Sequence, residues 1–340
     1  MTTLVTGASG FLGSHVARQL VARGEAVRVL LRPSSQIRAI EDLRVEKVIG
    51  DLRDPSSLDR ALSGVRRVFH VAADYRLWAL HPRDIYESNV TGTKNLLAAA
   101  RRAGVEQFIY TSTVATVAVD RPALPNEQTE STLSEMIGHY KRSKWLAERE
   151  ALQAVKEGLP VIVAMPTTPV GPGDWKPTPT GKIIVDFLNG KMPGYVDTGL
   201  NFVAVEDAAE GHLLVAEKGR PGEQYLLGGE NLTLKQLLDI LARIAGLPAP
   251  RLKIPHRVAL GAAYVETAFS RLLGREPQIP VEGVKIARHR MFVDCSRAQR
   301  ELGFQPGPVA AALERAVRWY EANGYVTARA AKRLAQAHAA

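Results

Sequence analysis

A tyrosine and a lysine four residues apart, Tyr140 and Lys144, form the most chemically suggestive pair in the sequence. In a helix this spacing places both side chains on one face. Free tyrosine has a pKa of about 10, and a neighbouring ammonium lowers that pKa by stabilising the phenolate. The pair therefore has the properties of a general acid and base for proton transfer.

Three consecutive hydroxyl side chains end the preceding predicted strand, at Thr111, Ser112 and Thr113. Hydroxyls at this place can polarise the oxygen of a carbonyl or an alcohol. We assign this role to Thr113, with Ser112 as the alternative. A third interpretation is that the hydroxyls only form hydrogen bonds with backbone groups where the strand ends.

Asn89 lies inside a predicted helix, where it either orients the site or marks a kink.

A glycine-rich turn at residues 6–13, Thr-Gly-Ala-Ser-Gly-Phe-Leu-Gly, follows the first predicted strand and opens an amphipathic helix. Gly7, Gly10 and Gly13 suit a tight turn whose backbone approaches a pyrophosphate, which the helix N-terminus attracts. Because glycine spacings also arise by chance, the alternative is an ordinary strand-to-helix turn. The strand before it and the helix after it favour nucleotide binding.

The second predicted strand is followed by Arg32, where an acidic residue would favour NAD and a positive charge favours the 2′-phosphate of NADP. Ser34 and Ser35 add hydroxyl donors, so the sequence favours NADP(H) over NAD(H). The alternatives are that Arg32 is simply solvated, or that it stacks on the adenine without selecting a cofactor. We expect no metal.

Further cofactor contacts are predicted from topology, because ligands lie beyond the carboxyl ends of the strands in such sheets. The full set of predicted cofactor residues adds Phe11, Leu12, Asp51, Leu52, Ala72, Ala73, Asn89, Ser112, Tyr140, Lys144, Pro166 and Thr167.

Aromatic candidates for lining the substrate cleft are Tyr75, Trp78 and Trp175, although such residues more often belong to a core.

Short β-branched runs alternate with helical patterns through the first half of the chain, which indicates βαβ units around a parallel sheet. Six strands are predicted at 4–5, 26–31, 45–49, 67–71, 105–110 and 160–164. After Pro166, proline and glycine break the alternation. The predicted fold class is α/β, a Rossmann-type doubly wound parallel sheet with a smaller C-terminal substrate lobe.

The change of pattern also sets the predicted domain boundaries. Residues 1–165 form the nucleotide-binding domain, with a strand near 202–206 that returns to its sheet. Residues 166–327 are mainly the substrate-binding lobe. Residues 328–340, rich in Ala, Lys and Arg, are expected to be a frayed helix or a flexible tail.

Composition and charge exclude several classes of protein. With 46% hydrophobic and 23% charged residues, the chain is globular rather than disordered or disulfide-rich. The net charge of +9 is scattered, and no basic stripe interleaved with aromatic residues marks a nucleic-acid face. A single cysteine, no N-terminal targeting pattern and no transmembrane segment favour a cytoplasmic protein that acts on a small molecule.

Together the motifs resemble the extended short-chain dehydrogenase/reductases, the NAD-dependent epimerase/dehydratase superfamily, over nearly the whole chain. The segments that carry this resemblance are the glycine turn, 50–52, 89–93, the Thr-Ser-Thr strand end, Tyr-Lys-Arg-Ser-Lys at 140–144, 166–174, 202–211 and 294–304. Residues 70–78 are similar to the bacterial hopanoid-associated sugar epimerases, which in turn resemble the NADPH-dependent dihydroflavonol 4-reductases.

The resemblance implies that Thr113, Tyr140 and Lys144 form a catalytic triad in a hopanoid-associated sugar or sugar-nucleotide epimerase. The alternatives are an NADPH-dependent ketone or aldehyde reductase and a nucleotide sensor without catalysis. Such epimerases usually retain NAD, so Arg32 departs from their pattern and points towards net reduction. A homodimer through residues 82–103 and 137–156, and a link to hopanoid synthesis, are expected from the resemblance alone.

Overall fold

The computed structural model describes residues 2–118 and 121–339, with side chains as far as residue 334. Its strands are β1 (Thr2–Thr6), β2 (Ala26–Leu31), β3 (Glu46–Ile49), β4 (Val65–His70), β5 (Gln107–Thr111), β6 (Val161–Pro166), β7 (Thr168–Val170), β8 (Gly194–Tyr195), β9 (Gly199–Ala204), β10 (Gln224–Leu227), β11 (Glu230–Thr233), β12 (Leu252–Lys253) and β13 (Arg290–Met291).

Helices separate most of these strands. They are α1 (Phe11–Ala22), α2 (Pro55–Leu62), α3 (Arg83–Tyr86), α4 (Gly92–Arg102), α5 (Gly138–Lys156), α6 (Pro179–Leu188), α7 (Val205–Lys218), α8 (Leu234–Ala245), α9 (His256–Leu272), α10 (Val281–Ile286), α11 (Ser296–Leu302), α12 (Val309–Ala322) and α13 (Ala328–Ala339). A π-helical turn, Glu87–Thr91, joins α3 to α4, and short 3-10 helices span Arg38–Ile40, Val114–Thr116 and Leu133–Glu135.

Seven parallel strands form the main sheet in the order β10-β6-β5-β4-β1-β2-β3. Successive side chains of a strand face opposite sides of a sheet. Leu4 and Phe108 belong to a core with α2, α4 and α5, whereas their neighbours Val5 and Ile109 belong to a core with α1, α7 and α11. The predicted Rossmann-type sheet with helices on both faces is confirmed.

A second, smaller sheet organises the C-terminal lobe. Strand β9 pairs antiparallel with β11 and parallel with β13 and β7, while β8 and β12 form a separate parallel pair. Residues of α6, α8, α12 and α13 pack with β9 into a third hydrophobic core. None of the helices in the described part of the chain combines the length and hydrophobicity of a membrane span.

One detail of the predicted organisation is wrong. The strand at 199–204 pairs inside the lobe, and the strand that returns to the main sheet is β10, which pairs with β6. Both segments are short apolar runs, so the local pattern could not show which sheet each one joins. Of the two alternatives expected for the C-terminal segment, the structure has the helix, Ala328–Ala339, which buries Ala330 and Leu334.

Replacement of Leu334 by alanine tests whether α13 is part of the folded lobe. Leu334 is buried in the lobe core, and removing a buried leucine side chain usually costs about 2–5 kcal/mol. We expect Leu334→Ala to lower the free energy of unfolding, measured by chemical denaturation, by an amount near the lower end of that range. The matched control is Leu272→Ala, whose side chain is 84% exposed and whose replacement should change stability by at most about 0.5 kcal/mol. Equal stability of the two variants would support a flexible tail.

Candidate functional site

The glycines of the turn between β1 and α1 lie very close to other backbone atoms. Gly7 has a φ of +73°, and a Cβ added there would lie 2.7 Å from the backbone of Ala72, just after β4. A Cβ on Gly13 would lie 2.6 Å from the Gly7 carbonyl carbon. Gly10 is exposed and precedes α1 with extended backbone. The turn therefore presents a free helix N-terminus of the kind that binds a pyrophosphate.

A series of buried hydrogen bonds between side chains lies next to this turn. Thr6 Oγ1 lies 2.8 Å from His70 Nδ1, and His70 Nε2 lies 3.0 Å from Thr93 Oγ1, which donates to the Asn89 carbonyl. Burial, with a smaller effect of the Lys144 charge, lowers the pKa of His70 to about 3. The imidazole is therefore neutral near neutral pH, and it joins β1, β4 and α4 as a hydrogen-bonding bridge.

The amine of Lys144 is buried at the carboxyl end of β5. It donates to the Tyr110 hydroxyl at 2.9 Å and to the Thr111 carbonyl at 2.7 Å. Burial lowers the pKa of Lys144 to about 7, and the carboxylate of Glu148 acts in the opposite direction. The charge of this amine can therefore change near neutral pH.

Tyr140 lies one helical turn before Lys144 on α5. Burial raises the pKa of Tyr140, and the nearby side chain of Thr113 offsets only part of this rise. The Lys144 amine, which the sequence predicts to lower this pKa, donates its hydrogen bonds to Tyr110 and Thr111, and burial lowers its own pKa to about 7.

The alternative strand-end hydroxyl, that of Ser112, is engaged elsewhere. Ser112 donates to a carboxylate oxygen of Glu148 at 2.5 Å, and the Thr116 hydroxyl donates to the same oxygen at 2.9 Å. Thr113 therefore supplies the hydroxyl beside Tyr140. The structure brings Thr113, Tyr140 and Lys144 together around the end of β5, and their catalytic roles remain a proposal.

Asn89 occupies the π-helical turn between α3 and α4. Its side-chain oxygen accepts from the Asp74 N–H at 2.7 Å, and its amide donates to the Asp74 carbonyl and the Ser143 hydroxyl, both at 2.9 Å. Ser143 in turn donates to the Tyr140 carbonyl at 2.8 Å. The residue therefore lies in an irregular helical turn and also connects the loop after β4 to α5.

The end of β2 carries an exposed, positively charged side chain. The Arg32 backbone N–H bonds to Ser35 Oγ at 3.0 Å, and no described residue forms an ion pair with the Arg32 guanidinium. At the end of β3, Asp51 pairs with Arg53 at 2.7 Å. Hydrogen bonds from Arg53 hold the pKa of Asp51 below its usual value, and the charge of Arg32 adds a smaller effect. Arg32 is thus available to an anionic ligand.

The aromatic candidates for the substrate cleft lie in different surroundings. Burial raises the pKa of Tyr75 to about 12, and the charges of Asp174 and, more weakly, of Tyr140 contribute. Tyr75 and the half-buried Trp78 lie in the same loop after β4. The Trp175 ring instead packs on Trp319, with 4.7 Å between ring centroids, and belongs to an aromatic cluster of the lobe.

The other predicted cofactor residues lie near the carboxyl edge of the main sheet. Phe11 and Leu12 are in the first turn of α1, and Leu52 packs against Gly92. Ala73 is exposed after β4. Pro166 is the last residue of β6, and the N–H of the next residue, Thr167, donates to the Leu227 carbonyl at 3.1 Å. Among described residues, no group of His, Cys, Asp and Glu side chains is arranged to hold a metal ion.

Sequence reasoning missed three buried groups at the site. Tyr110 and Glu148 contact the groups described above. The Lys141 amine lies 3.6 Å from Met291 Sδ, and burial lowers the pKa of Lys141 to about 8. Glu148 could have been found, because it lies four residues after Lys144 on the same helix face. Nothing in the local pattern distinguishes Lys141 from a solvated lysine.

Comparison with known proteins shows which family of proteins the chain is similar to. The family model described as "NAD dependent epimerase/dehydratase family" matches residues 3–228. A "Putative dihydroflavonol 4-reductase" from Synechocystis is 43% identical, covering 95% of both chains. "Sterol demethylase protein B" from Methylococcus capsulatus is 37% identical, covering 96% of this chain and all of that protein.

A solved structure shows the same architecture. The crystal structure of PA4631, described as a nucleoside-diphosphate-sugar epimerase from Pseudomonas aeruginosa, is 29% identical to this chain. The match covers 96% of this chain and 99% of that one, with a TM-score of 0.79.

Replacement of Gly13 by alanine tests the close packing of the glycine turn. The added Cβ would meet the Gly7 carbonyl, which is backbone and cannot rotate away. We expect Gly13→Ala to destabilise the protein by about 1–3 kcal/mol and to weaken dinucleotide binding at least about tenfold. Chemical denaturation and fluorescence titration measure the two effects.

The matched control for this change is Gly261→Ala in α9, where nothing lies within 4 Å of the added Cβ. This variant should be as stable as the wild type or more stable by up to about 1 kcal/mol. Unchanged dinucleotide binding by Gly13→Ala would show that the turn does not hold the cofactor.

Proposed function

Because the chain belongs to the NAD dependent epimerase/dehydratase family, we propose that it uses NADP(H) to interconvert a secondary alcohol and a ketone on a bulky, largely apolar substrate. The observation that carries this proposal is the position of Tyr140, which lies one helical turn before the buried amine of Lys144 and near the side chain of Thr113. The names of the two relatives refer to a flavonoid and a sterol, which are bulky ring compounds.

The residues present fit a dinucleotide. The exposed N-terminus of α1 at Gly10 suits the pyrophosphate, and Arg32 suits a 2′-phosphate. When bound, NADPH supplies the hydride that adds to the carbonyl carbon. Tyr140 donates its proton to the carbonyl oxygen, which Thr113 polarises through its hydroxyl. Because burial raises the pKa of Tyr140, this side chain is held in the protonated form that reduction needs.

A second candidate is sugar-nucleotide epimerisation, including the hopanoid-associated epimerase that the sequence resembles. The similarity to PA4631, a nucleoside-diphosphate-sugar epimerase, favours this candidate. Epimerisation would use the same Tyr140 first as base and then as acid, so the residues do not separate the two reactions. A nucleotide sensor is disfavoured, because both Tyr140 and Lys144 are present at the end of β5.

Cofactor stoichiometry separates these candidates. We expect the purified protein to oxidise NADPH, mole for mole with product, when given cyclic and aryl ketones with apolar rings. We expect no conversion of UDP-glucose or related sugar nucleotides. Conversion of a sugar nucleotide with an unchanged amount of NADPH would establish the epimerase instead.

In the same assay, Tyr140→Phe should lower kcat by about 10²–10⁴-fold while NADPH binding changes little, because only the proton donor is lost. The matched control is Tyr86→Phe, whose hydroxyl lies 3.2 Å from His139 Nδ1 on neighbouring helices. This control should retain nearly full activity. Turnover by Tyr140→Phe at the wild-type rate would rule out the proposed role of Tyr140.

Cofactor choice is tested at Arg32. Charge-assisted hydrogen bonds to a phosphate contribute about 1.5–3 kcal/mol, so Arg32→Asp should weaken NADPH binding by about 10-fold or more and leave NADH binding nearly unchanged. Fluorescence titration with both cofactors measures the change. Arg44→Asp is the control, because Arg44 is exposed and precedes the opposite, amino end of β3. A wild-type preference for NADH would contradict the assignment of NADP.

A further inference from the structure

Helix α9 exposes a row of large apolar side chains on the outside of the C-terminal lobe. Val258, Val265, Phe269 and Leu272 are 60%, 61%, 60% and 84% exposed. Their spacing places them on one face of the helix over its whole length. Leu273, directly after the helix, continues the row and is also exposed. We call these five residues the α9 face.

The orientation of α9 is the reverse of that in an ordinary surface helix, whose apolar side faces the core. The side chains that α9 buries completely are small, those of Ala263 and Ser270. Between the large residues of the α9 face lie Gly261 and Ala262, both exposed. A contiguous exposed apolar surface of this kind marks an interaction site.

The stretch of sequence that contains α9 is rich in positive charge. Residues 251–290 contain eight arginines and lysines and three acidic residues, so this segment carries +5 of the net charge of +9, and two of its cations, Lys253 and Arg290, pair with Asp197. Arg257, Arg271 and Arg275 are exposed, and no ion pair among the described residues involves them. The carboxylate of Glu266 is occupied, because it accepts from the Ser270 hydroxyl and from backbone N–H groups of the following loop.

The segment that follows α9 leads to the proposed active site. In α10, the Glu282 side chain packs closely against Gly138 at the start of α5, and Gly283 lies beside Leu77 in the loop after β4. The charge of Glu276 also contributes to the raised pKa of Tyr75. The α9 face is therefore connected by a short stretch of chain to the neighbourhood of Tyr140.

We propose that the α9 face and its arginines dock the protein on an anionic lipid surface, with α9 lying in the plane of the interface. Apolar side chains on one face and cations beside them are the features of helices that bind at such interfaces. A second copy of the chain is a poorer occupant, because a two-fold contact would bring the same positively charged segments together. The proposal goes beyond the proposed function, although an apolar substrate dissolved in the same lipid layer would have a short path to the site.

Co-sedimentation of the full chain with vesicles tests the proposal. We expect the protein to bind vesicles of phosphatidylcholine with phosphatidylglycerol, to bind much less to phosphatidylcholine alone, and to lose affinity as the salt concentration rises. The double variant Val265→Asp, Phe269→Asp should bind at least about tenfold more weakly. Replacing Arg257 and Arg271 by glutamine should weaken binding by about fivefold for each arginine.

The matched control is Leu124→Asp, which places the same charge on a leucine that is 55% exposed outside the α9 face. All variants should retain wild-type unfolding free energy and NADPH oxidation with a water-soluble ketone, because the changed side chains are exposed. Wild-type protein that remains unbound to both kinds of vesicle would overturn the proposal. Equal binding by the wild type and the double variant would also overturn it, as would a change in oligomeric state without any lipid binding.

Discussion

The amine of Lys144 must find hydrogen-bond acceptors, because it lies in a part of the protein that water does not reach. Both of its acceptors, the Tyr110 hydroxyl and the Thr111 carbonyl, belong to the last residues of β5. Helix α5 can satisfy this amine only by lying against that strand end. The same packing of α5 places Tyr140, one turn earlier in the helix, near the side chain of Thr113.

Burial at this position has opposite effects on the two proposed acid–base groups. It favours the neutral form of each, so it raises the pKa of Tyr140 and lowers the pKa of Lys144. A lysine that has lost part of its charge stabilises a phenolate poorly. Without another positive charge nearby, the site therefore keeps a neutral tyrosine ready to donate, rather than a tyrosinate ready to accept.

Much of the fold and part of the site could be predicted from local sequence. The parallel sheet followed from alternating strand and helix patterns, and the glycine turn followed from spacing next to a strand. What local sequence did not show was the partner of each segment. Residues 199–204 and Gln224–Leu227 are both short apolar strands, and only the folded structure shows that the second joins the main sheet. Trp175 could equally have lined a cleft or joined an aromatic cluster. The pattern of α9 shows which face is apolar, but not that this face points outward.

The chain passes repeatedly between its two structural units. It leaves the main sheet after β6, returns with α7 and β10, leaves again for β11 to β13, returns as α11 and finally enters the lobe with α12 and α13. No single cut of the polypeptide would therefore separate a complete nucleotide-binding unit from a complete lobe. Recombination cannot exchange such a lobe as one contiguous gene segment. New substrate preferences in this architecture must arise by substitutions and loop changes made within an intact chain.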